Sequence, residues 1–174
     1  MNDSLLDVMR TRRSVRSFRP EAIDDRTIAR LLTAATWAPT AGNAQPWYFY
    51  VTREEYVRRK LAEAALGQVF VAQAPMVIIC CADLERARAA YKLRGETLYC
   101  IQDTAAATQN LLLMAHALGL GACWVGAFDE NAVIDVLYLP KHHRPLALVP
   151  VGYPAQNPVD PGRLPLHKVF SEID

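Results

Sequence analysis

The 174-residue sequence predicts a layered fold of mixed helices and strands, of the α/β or α+β class. Segments with helical periodicity alternate along the chain with short apolar runs of strand length. Hydrophobic residues make up 52% of the sequence, which is typical of a globular domain and not of a disordered chain. We find no internal repeat, low-complexity tract or linker, and therefore interpret residues 1–174 as a single domain.

The first half of the chain predicts two helices and two strands. Apolar residues recur at i, i+3, i+4 and i+7 before Pro39, which predicts a helix with one buried face that ends there. A strand is predicted over residues 47–51. Thr52 and the glutamate three residues later have capping-box spacing and indicate a second helix that extends to about Leu66. The continuous apolar run over residues 75–82 indicates a strand covered on both faces.

A stretch over residues 104–128 has no formally charged side chain and is long enough to span a membrane. It nevertheless contains Gln109, Asn110 and His116, and basic residues flank neither end. We interpret most of it as a buried helix over about residues 99–118, hydrophobic on every side and therefore central to the fold. No membrane association is expected.

Shorter elements follow this helix. Gly119 is expected to end it, and a short buried strand is expected over residues 122–127. Asp129 is placed to cap another helix, and residues 146–152 indicate a further strand. Residues 159–174 form a proline-spaced C-terminal tail.

Charge and cysteine content argue against several classes of function. The formal net charge is +1, so the chain lacks the broad basic field with which proteins bind nucleic acid. Its four cysteines show neither a C-x-x-C pair nor zinc-site spacing, and the adjacent Cys80 and Cys81 would face opposite sides of a strand. The first residues lack the pattern of a signal peptide. We therefore expect a cytoplasmic protein with reduced thiols and no metal site.

Other catalytic motifs fit poorly. Gly119 and Gly121 suggest a dinucleotide-binding loop, but the order helix–glycine–strand is the reverse of the Rossmann order. No G-x-S-x-G motif surrounds any serine. His142 and His143 are interpreted as structural or solvent-facing residues, and His116 as a core histidine with a hydrogen-bond partner.

A cluster of arginines near the N-terminus indicates a site for one small phosphorylated ligand. Guanidinium groups form bidentate, charge-assisted hydrogen bonds with phosphate, and the hydroxyl of Ser14 can add another donor. The alternative is a solvated charged face that precedes a helix. The five arginines within ten residues are Arg10, Arg12, Arg13, Arg16 and Arg19.

A polar loop over residues 39–47 is the second candidate binding segment. Between two prolines it carries Thr40, Gly42, Asn43 and Gln45, whose hydroxyl, flexible backbone and carboxamides suit the edge of a flat heterocycle. A plain surface turn is the alternative interpretation.

These two segments, together with three later blocks, resemble the FMN-dependent nitroreductase family. Residues 12–18 and 38–47 look like the family's N-terminal blocks, with the patterns R-R-S-x-R-x-F and A-P-T-A-G-N-x-Q-P-W. Residues 119–129 are similar to the family's segment behind the flavin ring. Residues 152–154 and 163–166 resemble its closing blocks, so the likeness runs from about residue 4 to residue 170.

The resemblance implies a three-layer α/β/α fold of the α+β class, with a central mixed, mainly antiparallel sheet. It also implies an intertwined homodimer with FMN at the subunit interface, in which residues 159–174 pack on the partner subunit. By the same resemblance, Arg12, Arg13, Ser14 and Arg16 would hold the phosphate and ribityl end of FMN. The other implied cofactor-binding residues are Pro39, Thr40, Ala41, Asn43, Gln45, Val125, Gly126 and Arg163.

Within that set, the backbone N–H of Gly126 would lie near the flavin ring, and Arg163 would add a second phosphate contact. Two residues depart from the family pattern. Val125 stands where relatives often carry a glutamate, and Pro161 stands where they often carry a lysine. The pocket beside the ring is therefore expected to be less polar, and phosphate binding to depend more on the N-terminal arginines.

The activity implied is an FMN-dependent oxidoreductase that takes hydride from NAD(P)H and reduces nitroaromatic, quinone or similar electrophilic acceptors in a ping-pong cycle. Such chemistry needs no side-chain acid or base, so no catalytic residue is assigned. The alternative is a flavin-binding or scaffold protein of the same fold without NAD(P)H turnover.

Overall fold

A four-stranded sheet in the order β1-β2-β4-β3 forms the centre of the fold. It is seen in a computed structural model that describes residues 4–173. All neighbouring strands are antiparallel, and an isolated parallel bridge between Ser14 and Ala122 adds a mixed pairing at one side. The strands are β1 (Trp47–Thr52), β2 (Met76–Asp83), β3 (Gly121–Ala122) and β4 (His143–Gly152).

Helices cover both faces of this sheet, which confirms the three-layer arrangement. They are α1 (Ser4–Thr11), α2 (Asp25–Thr36), α3 (Glu55–Ala64), α4 (Phe70–Gln73), α5 (Leu84–Arg94), α6 (Cys100–Ala117) and α7 (Glu130–Leu137). Core side chains of α2 and α6 pack on one face, and those of α3, α4 and α7 pack on the other.

Strand β2 is buried along all eight of its residues, as its continuous apolar run predicts. Successive side chains point to opposite faces, so Ile78 and Cys80 join the α2/α6 core while Ile79 and Cys81 join the α3/α7 core. Each fully buried Ile or Val side chain stabilises the fold by about 1.5–3 kcal/mol. The prediction that the adjacent cysteines face opposite sides is confirmed, and all four cysteines are free thiols.

The predicted capping box at Thr52 is wrong. Thr52 remains in β1, where it pairs with Val77, and its hydroxyl accepts a hydrogen bond from the Glu54 N–H at 3.2 Å. Helix α3 begins at Glu55, and its N-cap residue Glu54 makes no side-chain capping bond. The strand pairing of Thr52 prevents its hydroxyl from reaching the helical N–H groups.

The predicted strand over residues 122–127 is also mostly wrong. Regular pairing with β4 covers Gly121 and Ala122 alone. Beyond it, the Cys123 N–H donates to the Pro150 carbonyl at 3.3 Å, and an isolated bridge joins Val125 and Leu148. Strand β4 begins at His143, earlier than expected.

The long helix α6 matches its prediction to within a residue at each end, and Gly119 follows it with φ +74°. One side of α6 is buried against the sheet, whereas Leu113 and Met114 on another side are only partly buried. Within residues 4–173, no helix combines the length and the apolarity needed to cross a membrane.

Helix α5 is irregular. Tyr91 and Lys92 leave helical geometry, Lys92 with φ +50° and ψ −137°, and a π-helical turn over Gly95–Tyr99 leads into α6. Sequence periodicity predicted neither this segment nor the short helices α1 and α4.

Candidate functional site

The arginine segment runs in extended conformation beside the sheet. The Val15 N–H donates to the Ala122 carbonyl at 3.0 Å, and the Arg19 N–H donates to the Tyr153 carbonyl at 2.8 Å. Gly121 permits this close approach, because a Cβ atom there would lie 2.7 Å from Cβ of Val15. The buried Val15 therefore anchors a strand-like segment whose polar neighbours face away from the core.

Four of the predicted cofactor-binding residues meet Arg163 around one cavity of about 320 Å³, here called the arginine cavity. Its walls come from the N-terminal segment and from the start of the C-terminal tail. The lining residues are Arg12, Arg13, Ser14, Arg16, Pro158, Val159, Pro161 and Arg163. The structure thus brings together residues that lie about 150 positions apart in the sequence.

Among the described residues, only one of the four arginines around the arginine cavity has an acidic partner. Arg13 forms an ion pair with Asp160 at 2.6 Å. For Arg12, Arg16 and Arg163, no carboxylate of residues 4–173 lies within 4.0 Å of the guanidinium group. Neighbouring like charges repel one another, so the arrangement favours an anion in the cavity. Guanidinium groups with a serine hydroxyl are a donor set that fits the phosphate of FMN.

The arginine segment contacts Phe70 and Cys123. Arg16 lies over the ring of Phe70, with 5.8 Å from Cζ to the ring centroid. The buried thiol of Cys123 lies beside Ser14 and Arg16. Burial raises the pKa of Cys123, and the nearby Arg16 and Ser14 act in the opposite direction. This thiol is therefore a buried packing group and not a reactive thiolate.

The backbone N–H of Gly126 points away from the sheet. The Val125 N–H donates to the Leu148 carbonyl at 2.9 Å, and the Leu148 N–H donates to the Val125 carbonyl at 3.0 Å. In a trans peptide the carbonyl and the following N–H point in opposite directions. Gly126 is exposed, and its N–H has no acceptor within the described part of the chain. The fold thus presents an outward-facing donor three residues after Cys123, which lies beside the arginine segment.

Hydrogen bonds to residues 64–68 hold the rest of that turn, residues 127–129, in place. The side-chain amide of Gln68 donates to the carbonyls of Ala127 at 3.1 Å and Ala65 at 2.9 Å, and the Asp129 N–H donates to the Ala64 carbonyl at 2.9 Å. Val125 itself is only 2% exposed and its side chain packs in the α3/α7 core. Val125 therefore shapes the turn through its backbone hydrogen bonds and not through its side chain.

The polar loop, residues 39–45, adopts a strained backbone. Gly42, Asn43 and Gln45 all have positive φ, between 50° and 56°. The Gln45 N–H donates to Thr40 Oγ1 at 3.1 Å, and its carboxamide donates to Asn43 Oδ1 at 3.3 Å. Pro39, Asn43 and Gln45 are exposed, and Thr40 and Ala41 are half-buried. Positive φ at non-glycine residues is uncommon and often marks functional sites.

Two residues outside the predicted set hold the polar loop. The Ala41 N–H donates to both carboxylate oxygens of the buried Asp103, at 3.2 and 3.3 Å. Burial raises the pKa of Asp103, and the Ala41 hydrogen bond opposes that shift. The hydroxyl of Tyr91 closes over Gly42, where a Cβ atom would lie 2.3 Å from Tyr91 Oη. Sequence alone gave no signal for either contact, because both partners lie far along the chain.

The polar loop and the arginine cavity lie at opposite ends of α6. Asp103 is in the first turn of that helix, whereas Thr11 Oγ1, next to the arginines, lies 2.8 Å from Nε2 of His116 in its last turn. His116 comes 13 positions after Asp103, which corresponds to about 20 Å along the helix axis. Within one chain, the structure does not bring the two predicted binding segments together.

The histidines do not form a metal site. His116 has Thr11 as its partner, as expected of a structural histidine, and burial together with Arg12 and Arg13 lowers its pKa. His143 is buried in β4, with Nδ1 hydrogen-bonded to the Tyr50 hydroxyl at 2.6 Å. Among residues 4–173 there is no group of three or more His, Cys, Asp or Glu residues placed to hold a metal ion.

Known proteins are similar to this chain in both sequence and fold. A profile of the nitroreductase family matches residues 9–153. The NADH dehydrogenase of Thermus thermophilus is 36% identical over 185 residues, which cover 91% of this chain and 90% of that protein. The oxygen-insensitive NADPH nitroreductase of Salmonella typhimurium is 33% identical over 167 residues, covering 92% and 70% respectively.

A solved structure agrees with these matches. The NADPH:FMN oxidoreductase of Vibrio harveyi, solved in complex with NAD⁺, superposes with a TM-score of 0.89 at 26% sequence identity. The superposition covers 98% of this chain and 77% of the Vibrio chain.

Proposed function

The chain belongs to the nitroreductase family, and from that premise we propose how its residues bind a flavin and support its reduction. It is an FMN-dependent NAD(P)H oxidoreductase. The observation that carries the assignment to this chain's residues is the arginine cavity, with three guanidinium groups that have no acidic partner among residues 4–173.

In this proposal, Arg12, Arg16 and Arg163 bind the FMN phosphate and Ser14 adds a hydroxyl donor. Charge-assisted hydrogen bonds of this kind are about twice as strong as neutral ones. Arg13 is already engaged by Asp160 and by the carbonyls of Arg10 and Arg12, so it contributes to the cavity mainly by holding the tail.

The outward N–H of Gly126 is the proposed donor to the flavin ring. A donor at the ring stabilises negative charge that develops when the ring is reduced, and a fixed backbone dipole does so without reorganisation. Val125 and Gln68 hold that donor in place through the hydrogen bonds at their backbone and side-chain atoms. No side chain is assigned as an acid or base, because the cofactor supplies the chemistry.

When bound, FMN would supply the hydride chemistry that links NAD(P)H to an acceptor in two successive half-reactions, and the residues of the arginine cavity with the Gly126 N–H would hold it. We propose nitroaromatics, quinones or similar electrophiles as acceptors. The buried Val125 side chain places no charge beside the proposed ring site, which suits neutral, flat acceptors.

We propose that the flavin lies between two copies of the chain. The polar loop supplies Pro39, Thr40, Ala41, Asn43 and Gln45 to the flavin bound mainly by the partner, since about 20 Å of α6 separates it from the arginine cavity of its own chain. An apolar groove of about 540 Å³ between α1, α2 and α6 offers the dimer surface, and Trp37 at its edge is 82% exposed.

The C-terminal tail is part of the same proposal. All of its residues from 159 to 173 are exposed in the single chain, including Leu164, Leu166 and Phe170. Apolar side chains presented in this way are typical of a segment that packs on another subunit. We propose that residues 159–174 complete the single FMN-binding domain by packing on the partner.

The test is an absorbance spectrum of the purified protein, before and after addition of NADPH or NADH without oxygen. We expect a two-banded yellow flavin spectrum that bleaches with at least one nucleotide and returns when a nitroaromatic or quinone is added. Free FMN with the same nucleotide is the control for reduction without the protein.

Two outcomes would contradict the proposal. Protein that stays colourless after incubation with FMN would mean that the arginine cavity does not bind the flavin. Flavin-loaded protein that neither nucleotide bleaches would instead indicate a flavin-binding or scaffold protein without turnover.

A further inference from the structure

The start of the C-terminal tail makes a turn that is built around Asp160. Asp160 Oδ1 accepts a hydrogen bond from the Gly162 N–H at 2.9 Å, and Gly162 has φ +73°, a conformation that favours glycine. Asp160 Oδ2 lies 2.6 Å from Nη2 of Arg13. Both carboxylate oxygens are therefore engaged, one within the turn and one across the arginine cavity.

Arg13 is a fixed point for this contact. Its Nη1 donates to the carbonyls of Arg10 at 2.6 Å and Arg12 at 2.9 Å. Its side chain is only 19% exposed. The guanidinium group is thus held by backbone on one side and presents its other nitrogen to Asp160.

Within residues 4–173, the Arg13–Asp160 pair is the only polar link between the tail and the rest of the structure. The last backbone hydrogen bond to the body is from the Ala155 N–H to the Ser17 carbonyl, at 3.0 Å. From residue 156 to residue 173, every other hydrogen bond or ion pair joins tail residues to each other. Arg163 belongs to this segment, so its place in the wall of the arginine cavity depends on how the segment is held.

We propose that Asp160 is a positioning residue for phosphate binding. By holding the turn against Arg13, it fixes Arg163 in the wall of the arginine cavity. This inference rests on the proposed function, because it takes the cavity as the FMN phosphate site.

Electrostatics and positioning predict opposite effects for the removal of Asp160. As a bare charge, a carboxylate beside four arginines weakens the attraction for phosphate, so its removal would strengthen FMN binding. If Asp160 positions Arg163, the removal of Asp160 deprives the phosphate of a charged hydrogen-bond partner. The sign of the change in affinity therefore separates the two roles.

The experiment measures the dissociation constants of flavin-free protein for FMN and for riboflavin, which lacks the phosphate. Loss of a charged hydrogen bond corresponds to about a 10- to 100-fold weakening. We expect Asp160→Ala to weaken FMN binding in that range and to leave riboflavin binding unchanged. Asp160→Asn keeps an acceptor for Gly162 but loses the ion pair, and should lie between wild type and Asp160→Ala.

A double variant and a control sharpen the result. Arg163→Ala should weaken FMN binding by itself, and adding it to Asp160→Ala should cause little further loss, because both changes remove the same contact. Glu172→Gln removes the same charge from the exposed tail away from the turn and should have no effect. In flavin-free protein, trypsin should cleave after Arg163 faster in Asp160→Ala than in wild type.

Three results would overturn the inference. Tighter FMN binding by Asp160→Ala would make Asp160 a competing anion, and an equal loss of FMN and riboflavin affinity would make it a general structural residue. Additive losses from Asp160→Ala and Arg163→Ala would show that Asp160 does not act through Arg163. By contrast, wild-type protein that binds no FMN, yet shows the expected trypsin difference, would refute the flavin site while the tail anchor remained.

Discussion

Arg12, Arg16 and Arg163 share one cavity, but the sequence suggested their roles in different ways. The N-terminal arginines stand out by local density, because guanidinium groups so close together need an anion or solvent between them. Arg163 came only from the family resemblance, since it stands alone among prolines. Asp160 gave no signal, because its significance depends on a contact across about 150 residues.

Arg12→Ala tests the phosphate site at the level of a single side chain. We expect FMN binding to weaken about 10- to 100-fold, equivalent to roughly 1.5–3 kcal/mol for a hydrogen bond to a charged group. Riboflavin affinity should not change. Fluorescence titration of flavin-free protein measures both.

Arg10→Ala is the matched control for that variant. Arg10 lies in the same helix end but does not line the arginine cavity, and its carbonyl remains available to Arg13. Equal effects of the two variants would assign the arginines to a solvated charged face.

The lowered pKa of His143 predicts a specific dependence of stability on pH. Burial lowers its pKa below the ordinary value of 6.5, and the charge of His142 acts in the same direction. As pH falls through 6.5, the unfolded chain takes up a proton at this position before the folded protein does. Its contribution to the free energy of unfolding is therefore complete above pH 6.5 and is lost progressively below it.

Chemical denaturation across that range, with His143→Gln, checks this expectation. The glutamine can still hydrogen-bond to Tyr50, so the variant should fold and should lose less stability than wild type as pH falls below 6.5. An unchanged slope in His143→Gln would refute the assignment.

At the scale of elements, strong periodicity was a reliable guide and local motifs were not. The helix before Pro39, strand β2 and helix α6 were predicted because each buries a long apolar pattern. The capping box failed because strand pairing held Thr52. The strand over residues 122–127 failed because regular pairing with β4 ends after Ala122, and composition does not record where a strand stops pairing.

The polar loop offers a prediction at this scale, since its shape depends on Tyr91. Alanine at Gly42 would place Cβ 2.3 Å from Tyr91 Oη, in a backbone with φ +52°. Gly67 has φ +77° with open space around it, so Gly67→Ala experiences the backbone strain alone, about 1 kcal/mol. We expect Gly42→Ala to be the less stable of the two and to be the only one that weakens FMN binding.

Thermal unfolding and FMN titration of both variants measure this difference. Tyr91→Phe removes the nearest atom and should partly restore FMN binding in a Gly42→Ala background, because the ring carbons at 3.1 and 3.2 Å remain close. If Gly67→Ala weakens FMN binding as much as Gly42→Ala, the contact with Tyr91 is not what matters.

At the scale of the whole molecule, one chain alone does not bring the two proposed flavin-binding segments together. The sequence predicted both binding segments, and the structure places them at opposite ends of α6, about 20 Å apart along the helix. No pattern within one chain encodes that separation, because it results from how the helices pack. The family resemblance implies FMN at a subunit interface, which agrees with that separation and stays a prediction.

The dimer is expected on the same grounds. Side chains at the exposed groove between α1, α2 and α6, among them Trp37 and Leu113, leave apolar surface that a second chain would cover. Sedimentation at micromolar concentration should show a dimer, and a strictly monomeric profile would count against the shared site.

The most direct test counts FMN in mixed dimers purified with two different affinity tags. In the first mixture, one chain carries Arg12→Ala and Arg16→Ala and its partner carries Gly42→Val. In the second mixture, one chain carries all three substitutions and its partner is wild type. A site shared between subunits predicts one FMN per dimer in the first mixture and none in the second. A site contained within one chain predicts the reverse, and that result would contradict the account.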